Sequence, residues 1–494
     1  MSEGGNPSEL PKGWVQVRLD EIAEVRLGRQ RSPKNHSGTQ MRPYLRAANV
    51  DWNGLKLDDV KEMNFTDDEV AVYGLKKGDI LLSEASGSVS EVGKPAIWND
   101  EIADCCFQNT LIRVRSYGVD PGYLLHFLRS EAIRGAFVKH SRGVGIHHLG
   151  AARLAAWQVP VPPLGEQRRI VVALDEQLSH LASGTETLRG ALTKAGALRR
   201  KILASLTTPS SSGWTEHQLG DLATTVRNGM YVSRPGIEPD GVPILRIGAV
   251  RPLQLDLSDL RYSAVEVQRV AEDGYLLDQG DLLFTRYNGN PAYVGACAVV
   301  PEGTGALTYP DKLIRVQLRQ DIADPEFVAM VCTGGPARRV IQAAVKTTAG
   351  QAGIAGKDLK KVPIWLPSLD EQRERARAYR DWEETISRLE AEISKGESHS
   401  DRLRRSLLAE AFAGRLVPQD PADEPAEALL DRIRAEREAA GVTKSRRRSP
   451  RRAPAQRRRT PDTAPTPDAP PPPRADAPAL ATATQPTLDL EIPS

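Results

Sequence analysis

Cysteine is scarce in this chain. Its four residues, Cys105, Cys106, Cys297 and Cys332, form no C-x-x-C pair and two are adjacent. Neither a zinc site nor a disulfide framework is expected, and a reducing cytoplasm suits the sequence. Long apolar runs are missing as well. No stretch nears the roughly 18 apolar residues of a membrane helix, and Met1–Lys12 is polar, so no membrane association or secretory leader is expected. A net charge of +2 shows no basic excess. From Gly441 onward ten Lys/Arg stand against five Asp/Glu, leaving the first 440 residues at about −3. A body of that sign argues against nucleic-acid binding unless its cations gather on one face or partner chains share the duplex. What remains is ordinary for a globular protein: 40% hydrophobic and 26% charged residues, and length for two or three domains.

The chain repeats itself. Gly13-Trp14 recurs as Gly213-Trp214, and Leu19…Ala23 as Leu219…Ala223, at an offset of 200. Arg42–Arg46 aligns with Val242–Arg246 at the same offset, and Gly78–Leu82 with Gly280–Phe284 at 202. Ile112-Arg113-Val114 matches Ile314-Arg315-Val316 at 202, and Pro162-x-Leu164-x-Glu166-Gln167 matches Pro367-x-Leu369-x-Glu371-Gln372 at 205. Ordered matches with so small a drift indicate a duplication with loop insertions, at a period far above that of solenoids.

Each copy has two parts. The first reads as mixed α/β. Short β-rich runs (Asp79–Ser83, Thr110–Val114, Asp281–Thr285, Leu313–Gln317) are followed by helix-like segments at Pro121–His140 and Pro325–Val345. The second part is a long helix. Positions 171, 178, 185, 192, 199 and 206 with 174, 181, 188, 195 and 202 give an alternating 3/4 spacing, mostly apolar, with Arg199 an exception. Such spacing marks a coiled-coil seam. Pro160, Pro162 and Pro163 are expected to stop the preceding strand, and Pro209 to end the helix. In the second copy Trp382, Ile386, Leu389, Ile393, Leu403 and Leu407 hold the same phase, with Gly396 and Ser400 on the seam; a break is expected there.

Globule, helix, globule, helix is therefore the expected order, each globule at the start of its helix. If the helices pair antiparallel, two similar globules sit at opposite ends of a rod of about 60 Å, related by a pseudo-two-fold axis. DNA readers use such symmetry to engage two half-sites spaced by turns of roughly 34 Å. The other reading of the geometry is helices packed on a domain or forming a dimer interface.

These residues together resemble the specificity subunit of type I restriction-modification systems. The resemblance rests on Gly13-Trp14…Leu19…Ile22-Ala23 and its copy, the Gly-Asp strands at Gly78–Leu81 and Gly280–Leu283, and Pro162–Gln167. It extends to Pro367–Gln372, where Ser368 replaces the second proline, to Leu403–Val417, and to Pro421–Ile433. It implies target-recognition domains at 12–165 and 213–370, spacer helices at 166–208 and 371–437, and a tail at 441–494. It also implies a non-catalytic subunit that reads a bipartite gapped site in double-stranded DNA. Two modification (methyltransferase) subunits would methylate adenine N6 there, and restriction (translocase and nuclease) subunits would be recruited. S-adenosylmethionine, ATP and Mg are then expected on partner subunits and no cofactor on this chain. Glu166, Gln167, Glu371, Gln372 and Phe412 are the candidate partner-binding residues.

Candidates for DNA contact come from loops. Those after the Gly-Asp strands, Ser83–Lys94 and Thr285–Asn290, hold Ser86, Ser88, Lys94, Arg286 and Asn288. Arg suits guanine and Asn suits adenine in the major groove. Loops before the closing strands, Ser141–His148 and Thr347–Gly353, add Arg142, His147, His148 and Gln351. Arg46 and Arg246 occupy equivalent positions and suit either phosphate contacts or strand-end ion pairs. Solvated turns are the competing reading for each loop residue. Adjacent histidines suggest a metal, but no Cys or His stands at suitable spacing.

Catalytic motifs are broken or missing. Asn290-Pro291-Ala292-Tyr293 departs from the amino-methyltransferase Asn-Pro-Pro-Tyr at Ala292, and no Phe-x-Gly-x-Gly loop occurs. Gly350…Gly356-Lys357 is a residue too long for a phosphate loop and is followed by Asp358. Asp59-Val60-Lys61 lacks the preceding Pro-Asp of a nuclease motif. The tail, with 12 prolines in 54 residues and two Arg triplets, is expected to be disordered; it adds salt-sensitive DNA affinity or serves as a solvated linker. Two alternatives stand beside the main reading: a specificity subunit serving a methylase alone, and a coiled-coil adaptor without DNA contact.

Overall fold

The structure, a computed structural model, describes residues 10–138, 147–209, 213–232, 235–238, 241–348 and 351–441. Arg142 and the tail beyond Gly441 lie outside the described residues. The first copy contains β1 (Val15–Arg18), β2 (Ala23–Leu27), β3 (Ile80–Ser83), β4 (Ala85–Ser86), β5 (Pro95–Ile97) and β6 (Leu111–Ser116). It continues with α1 (Pro121–Ile133), β7 (His147–His148), β8 (Gln158–Val161) and the long α2 (Leu164–Thr207). The second copy repeats this with β9 (Thr215–Gln218), β10 (Ala223–Asn228), β11 (Leu282–Thr285), β12 (Tyr287–Asn288), β13 (Cys297–Val299) and β14 (Leu313–Leu318). Then come α3 (Pro325–Thr333), β15 (Lys346–Thr348), β16 (Gln351–Gly353), β17 (Pro363–Leu366), the long α4 (Leu369–Phe412) and α5 (Ala426–Ala439). Where one helix-like segment is expected in the second copy, two form, because Gly334 and Gly335 divide α3 from Gly335–Ala343.

Each lobe is built on an antiparallel four-stranded sheet, ordered β2-β6-β3-β5 in the first and β10-β14-β11-β13 in the second. The Gly-Asp strands are central and buried on both faces. Ile80 and Leu82 join the core that contains α1, while Leu81 packs with Leu45, Trp98 and Phe107. Leu282 and Phe284 likewise part from Leu283. Burial on both sides explains the unbroken apolar run. The preceding dipeptide has a local reason. Gly78 and Gly280 take φ of 88° and 84°, which favours glycine. Asp79 then accepts from the Lys76 amide at 2.8 Å and from Arg115 at 2.6 and 2.7 Å. Asp281 accepts from the Asp278 amide at 2.7 Å and pairs with Arg315 at 2.6 Å.

The long helices pair antiparallel. Arg199 on α2 meets Glu383 at 2.8 Å and Glu390 at 2.9 Å on α4; Arg189 meets Glu397 at 3.4 Å; Arg375 donates to the Leu206 carbonyl at 3.1 Å. Partners move backward along one helix as they advance along the other. Forty-four residues per helix span about 66 Å at about 1.5 Å per residue. Every expected seam position of α2, from Val171 to Leu206, is at least half-covered.

Two expectations for α4 fail. Trp382 and Leu389 are 49% and 50% exposed. Glu383 and Glu390 take the seam instead, because Arg199 faces them and charge pairing decides the register there. The helix also runs unbroken past Gly396. A Cβ at Gly396 would stand 3.1 Å from Leu188 Cδ1, so the glycine accommodates a close-packed leucine. In the first copy Pro160 lies within edge strand β8 rather than stopping it, and the strand ends before Pro162.

Beyond α4 the chain returns to the first lobe. Ala426, Leu429, Leu430 and Ile433 of α5 enter that lobe's core, Asp423 pairs with Arg169 at 2.6 Å, and the Ala426 amide donates to the Gly13 carbonyl at 3.1 Å.

Candidate nucleic-acid interface

Loops selected separately in the sequence meet in space. β4, just past the first Gly-Asp strand, pairs with β7, setting Ser86 opposite His147 and Ala85 opposite His148. In the second lobe β12 pairs with β16, setting Tyr287 opposite Gly353 and Asn288 opposite Ala352, and β15 extends the ribbon. Each lobe thus carries a short β-ribbon at the end of its central strand. A two-stranded ribbon fits the major groove.

A third segment joins each cluster. In the first lobe the Glu84 amide donates to the Thr110 carbonyl at 2.9 Å, and the Asn109 amide to the Arg29 carbonyl at 3.0 Å. In the second, the Arg286 amide donates to the Lys312 carbonyl at 2.8 Å, and the Asp311 amide to the Met230 carbonyl at 2.9 Å. The arms that follow Gly28 and Gly229 therefore lie beside the ribbons. Both glycines are required by contact: a Cβ would fall 2.2 Å from the Gln108 oxygen in one case and from the Pro310 oxygen in the other. Sequence reasoning passed over these arms, whose signal was a glycine just after the first sheet strand of both copies. Gln30, Arg31, Lys34 and His36 are exposed on the first arm and Tyr231 on the second.

The candidate contacts sort by how their polar atoms are used. Asn288 is half-buried, its Oδ1 accepting from the Asn290 amide at 2.9 Å, with its amide nitrogen unpaired among the described residues. Gln351 and Ser88 are exposed; Ser88 Oγ lies 2.9 Å from Ser90 Oγ, and Ser86 Oγ accepts from the Ser88 amide at 3.1 Å. His148 is exposed with Nδ1 3.1 Å from Glu84. His147 is half-buried, its Nδ1 without a partner among the described residues. Arg286 is only half-free: its Nη1 donates to the Asp311 carbonyl at 3.2 Å, and its guanidinium lies 4.7 Å from the Tyr287 ring centre.

Three cations are spent within the chain. Lys94 is 8% exposed, bonded to Glu91 and 3.8 Å from Asp51, so it anchors its loop from beneath. Arg46 pairs with Asp59 at 2.6 Å, and Arg246 with Asp259. Of the two readings for those arginines, the strand-end ion pair is the one formed, at the same place in both copies.

The Glu-Gln pair at each helix start has a structural task. Gln167 is fully buried; it donates to the Pro162 carbonyl at 2.8 Å and accepts from the Asp120 amide at 2.8 Å. Gln372 repeats this with Pro367 at 2.9 Å and Asp324 at 2.9 Å, and adds the Ile322 carbonyl at 3.0 Å. Each glutamine welds the start of α1 or α3 to the start of the long helix. Glu166 is buried and accepts from the Trp14 indole at 3.0 Å; burial raises its carboxyl above the ordinary glutamate range. Glu371 instead pairs with Arg375 at 2.7 Å. Ser368, in place of proline, caps α4 by accepting from the Glu371 amide at 3.3 Å. Phe412 meets Tyr123 and Phe127 edge-on at 5.5 and 5.3 Å. Expected to face partner subunits, Glu166, Gln167 and Gln372 have no surface to offer one, and Phe412 is largely engaged at home.

Comparison with known proteins agrees with this architecture. Residues 11–187 match the model of the type I restriction modification DNA specificity domain. The specificity subunit of the type I restriction enzyme EcoKI, from Escherichia coli (strain K12), is 31% identical over 466 residues, covering 89% of this chain and 99% of that protein. The StySPI specificity subunit from Salmonella potsdam is 27% identical over 467 residues, 90% of this chain and 99% of that protein. A solved chain from work on complex assembly and conformational transition of the type I R-M system shares the fold at a TM-score of 0.66 and 20% identity, over 83% of this chain and 100% of that one. Two lobes on opposed helices, together with a relative of that similarity over nearly full length, establish that this chain belongs to the family of type I restriction enzyme specificity subunits.

Proposed function

We propose that each lobe reads one half of a gapped DNA sequence, with its ribbon and adjoining loops in the major groove, while the paired helices fix the distance between the halves. The observation that carries this reading is the repetition of one loop cluster on two lobes set at the starts of opposed helices of about 66 Å. That length suits two half-sites separated by one to two turns of roughly 34 Å. The loop sequences differ between lobes, so the half-sites differ. Catalysis belongs to partner chains: modification subunits holding S-adenosylmethionine methylate adenine N6 within the half-sites, and restriction subunits using ATP and Mg translocate and cut. This chain contributes recognition and spacing. The lobe boundaries near 12–165 and 213–370 and the spacers near 166–208 and 371–437 are the units of that division of labour. A gel shift of the chain assembled with its modification subunit, on duplexes with either half-site scrambled, tests the reading. Scrambling either half should weaken binding; binding indifferent to both would overturn it.

A further inference from the structure

We propose that the cleft beside Tyr231 receives the C5-methyl edge of a thymine in the half-site read by the second lobe. This rests on the reading above that the lobe meets DNA. Tyr231 is 79% exposed and Ile247, on the same cleft, 36%; an exposed apolar patch rimmed by polar residues is the mark of a contact surface. With Val232, Pro235, Ile244 and Ile247 it walls a cleft of about 340 Å³, with Lys312 at the rim. The cleft belongs to the ribbon's own loop cluster: the Lys312 carbonyl holds the Arg286 amide at the base of β12, and the neighbouring Asp311 amide holds the arm at Met230.

The chemistry of the walls selects the occupant. At the mouth Arg246 and Arg261 share Asp259 while Lys312 pairs with Asp311, so the rim keeps one net positive charge, enough for a backbone phosphate at the edge, and the apolar wall inside is left for an apolar group. In the major groove thymine alone among the four bases presents a methyl group. The first lobe supplies the contrast. Its corresponding arm exposes Gln30, Arg31 and Lys34, with Arg31 Nε donating to His36 at 3.0 Å, so polar and basic side chains stand where the second lobe presents Tyr231. The arms therefore give the two lobes different recognition chemistry at one equivalent place.

The test uses the chain assembled with its modification subunit and duplexes carrying the full gapped motif. Each thymine is replaced in turn by uracil in the half-site whose binding Asn288→Ala weakens. At one position uracil should lower affinity about fourfold, the value of one methyl withdrawn from water. Tyr231→Ser should remove that difference and Tyr231→Phe should keep it. Uracil tolerated at every position, a thymine-free half-site, or a uracil penalty unchanged in Tyr231→Ser would each overturn the proposal. Failure of the underlying reading looks different: the unmodified duplex would then bind no better than one with both halves scrambled.

Discussion

Replacing Gln167 by leucine keeps most of the side chain's volume and removes both of its buried hydrogen bonds. The Asp120 amide and the Pro162 carbonyl, each bonded to Gln167 at 2.8 Å, would be left without partners in a fully buried site. An orphaned buried group costs about 1–3 kcal/mol, so with two orphaned the junction should loosen by roughly 2–6 kcal/mol. A two-lobed chain need not unfold in one step, and a global melting temperature would blur the effect. Hydrogen exchange read by mass spectrometry on the full chain is sharper. Peptides covering residues 118–128 and 162–172 should exchange about thirtyfold faster or more, at roughly tenfold per 1.4 kcal/mol, while peptides from 322–332 and 367–377 stay unchanged. Gln372→Leu should give the mirror result. Leucine at 167 leaving its own junction unaltered, or loosening both junctions alike, would refute the claim that each glutamine welds one lobe to one helix.

Glu166→Gln retains an acceptor for the Trp14 indole and discards a buried carboxylate. Because burial raises the Glu166 pKa in the fold, the wild-type contribution is fullest below the ordinary glutamate value of about 4.3 and is lost as pH rises through the folded value. The variant should therefore match wild type in acid and exceed it at neutral pH in chemical denaturation; a destabilised variant at pH 7 would contradict this. Gly28→Ala and Gly229→Ala place a Cβ 2.2 Å from a backbone oxygen and should each cost more than about 2 kcal/mol, seen as lost soluble yield or a lowered melting temperature. Arg199→Ala, which leaves Glu383 and Glu390 without their shared cation on the seam, should destabilise the helix pair by about 1–2 kcal/mol, with Glu383→Gln/Glu390→Gln in the same chain recovering part of it. Asn288→Ala should weaken one half-site by about 1–3 kcal/mol without moving the other in competition binding.

The duplication, the two lobes and the first helix seam were legible because each leaves a repeating mark: matched dipeptides, glycine-bounded strands and a sustained 3/4 apolar spacing. The seam of α4 was misread for a physical reason. Apolar counting favours Trp382 and Leu389, yet Arg199 on the partner helix draws Glu383 and Glu390 inward, and only the pairing reveals that. Gly396 looked like a break because propensity ignores Leu188, which packs against it. Of the loops singled out in the sequence as candidates for DNA contact, two in each lobe pair as a ribbon. Sequence could not tell a free cation from a spent one: Lys94, Arg46 and Arg246 have carboxylate partners many residues away in the chain or across a turn. The arms after Gly28 and Gly229 went unseen since their composition is that of ordinary loops and only the backbone bonds place them beside the ribbons.

The most direct measurement is a base-resolution map of N6-methyladenine in DNA from cells carrying this chain with its modification subunit. The account predicts methylated adenines confined to one motif of two short, unlike parts separated by a constant number of unspecified base pairs. A continuous motif, or two parts at variable separation, would contradict it, since neither can be produced by two lobes held at a fixed spacing.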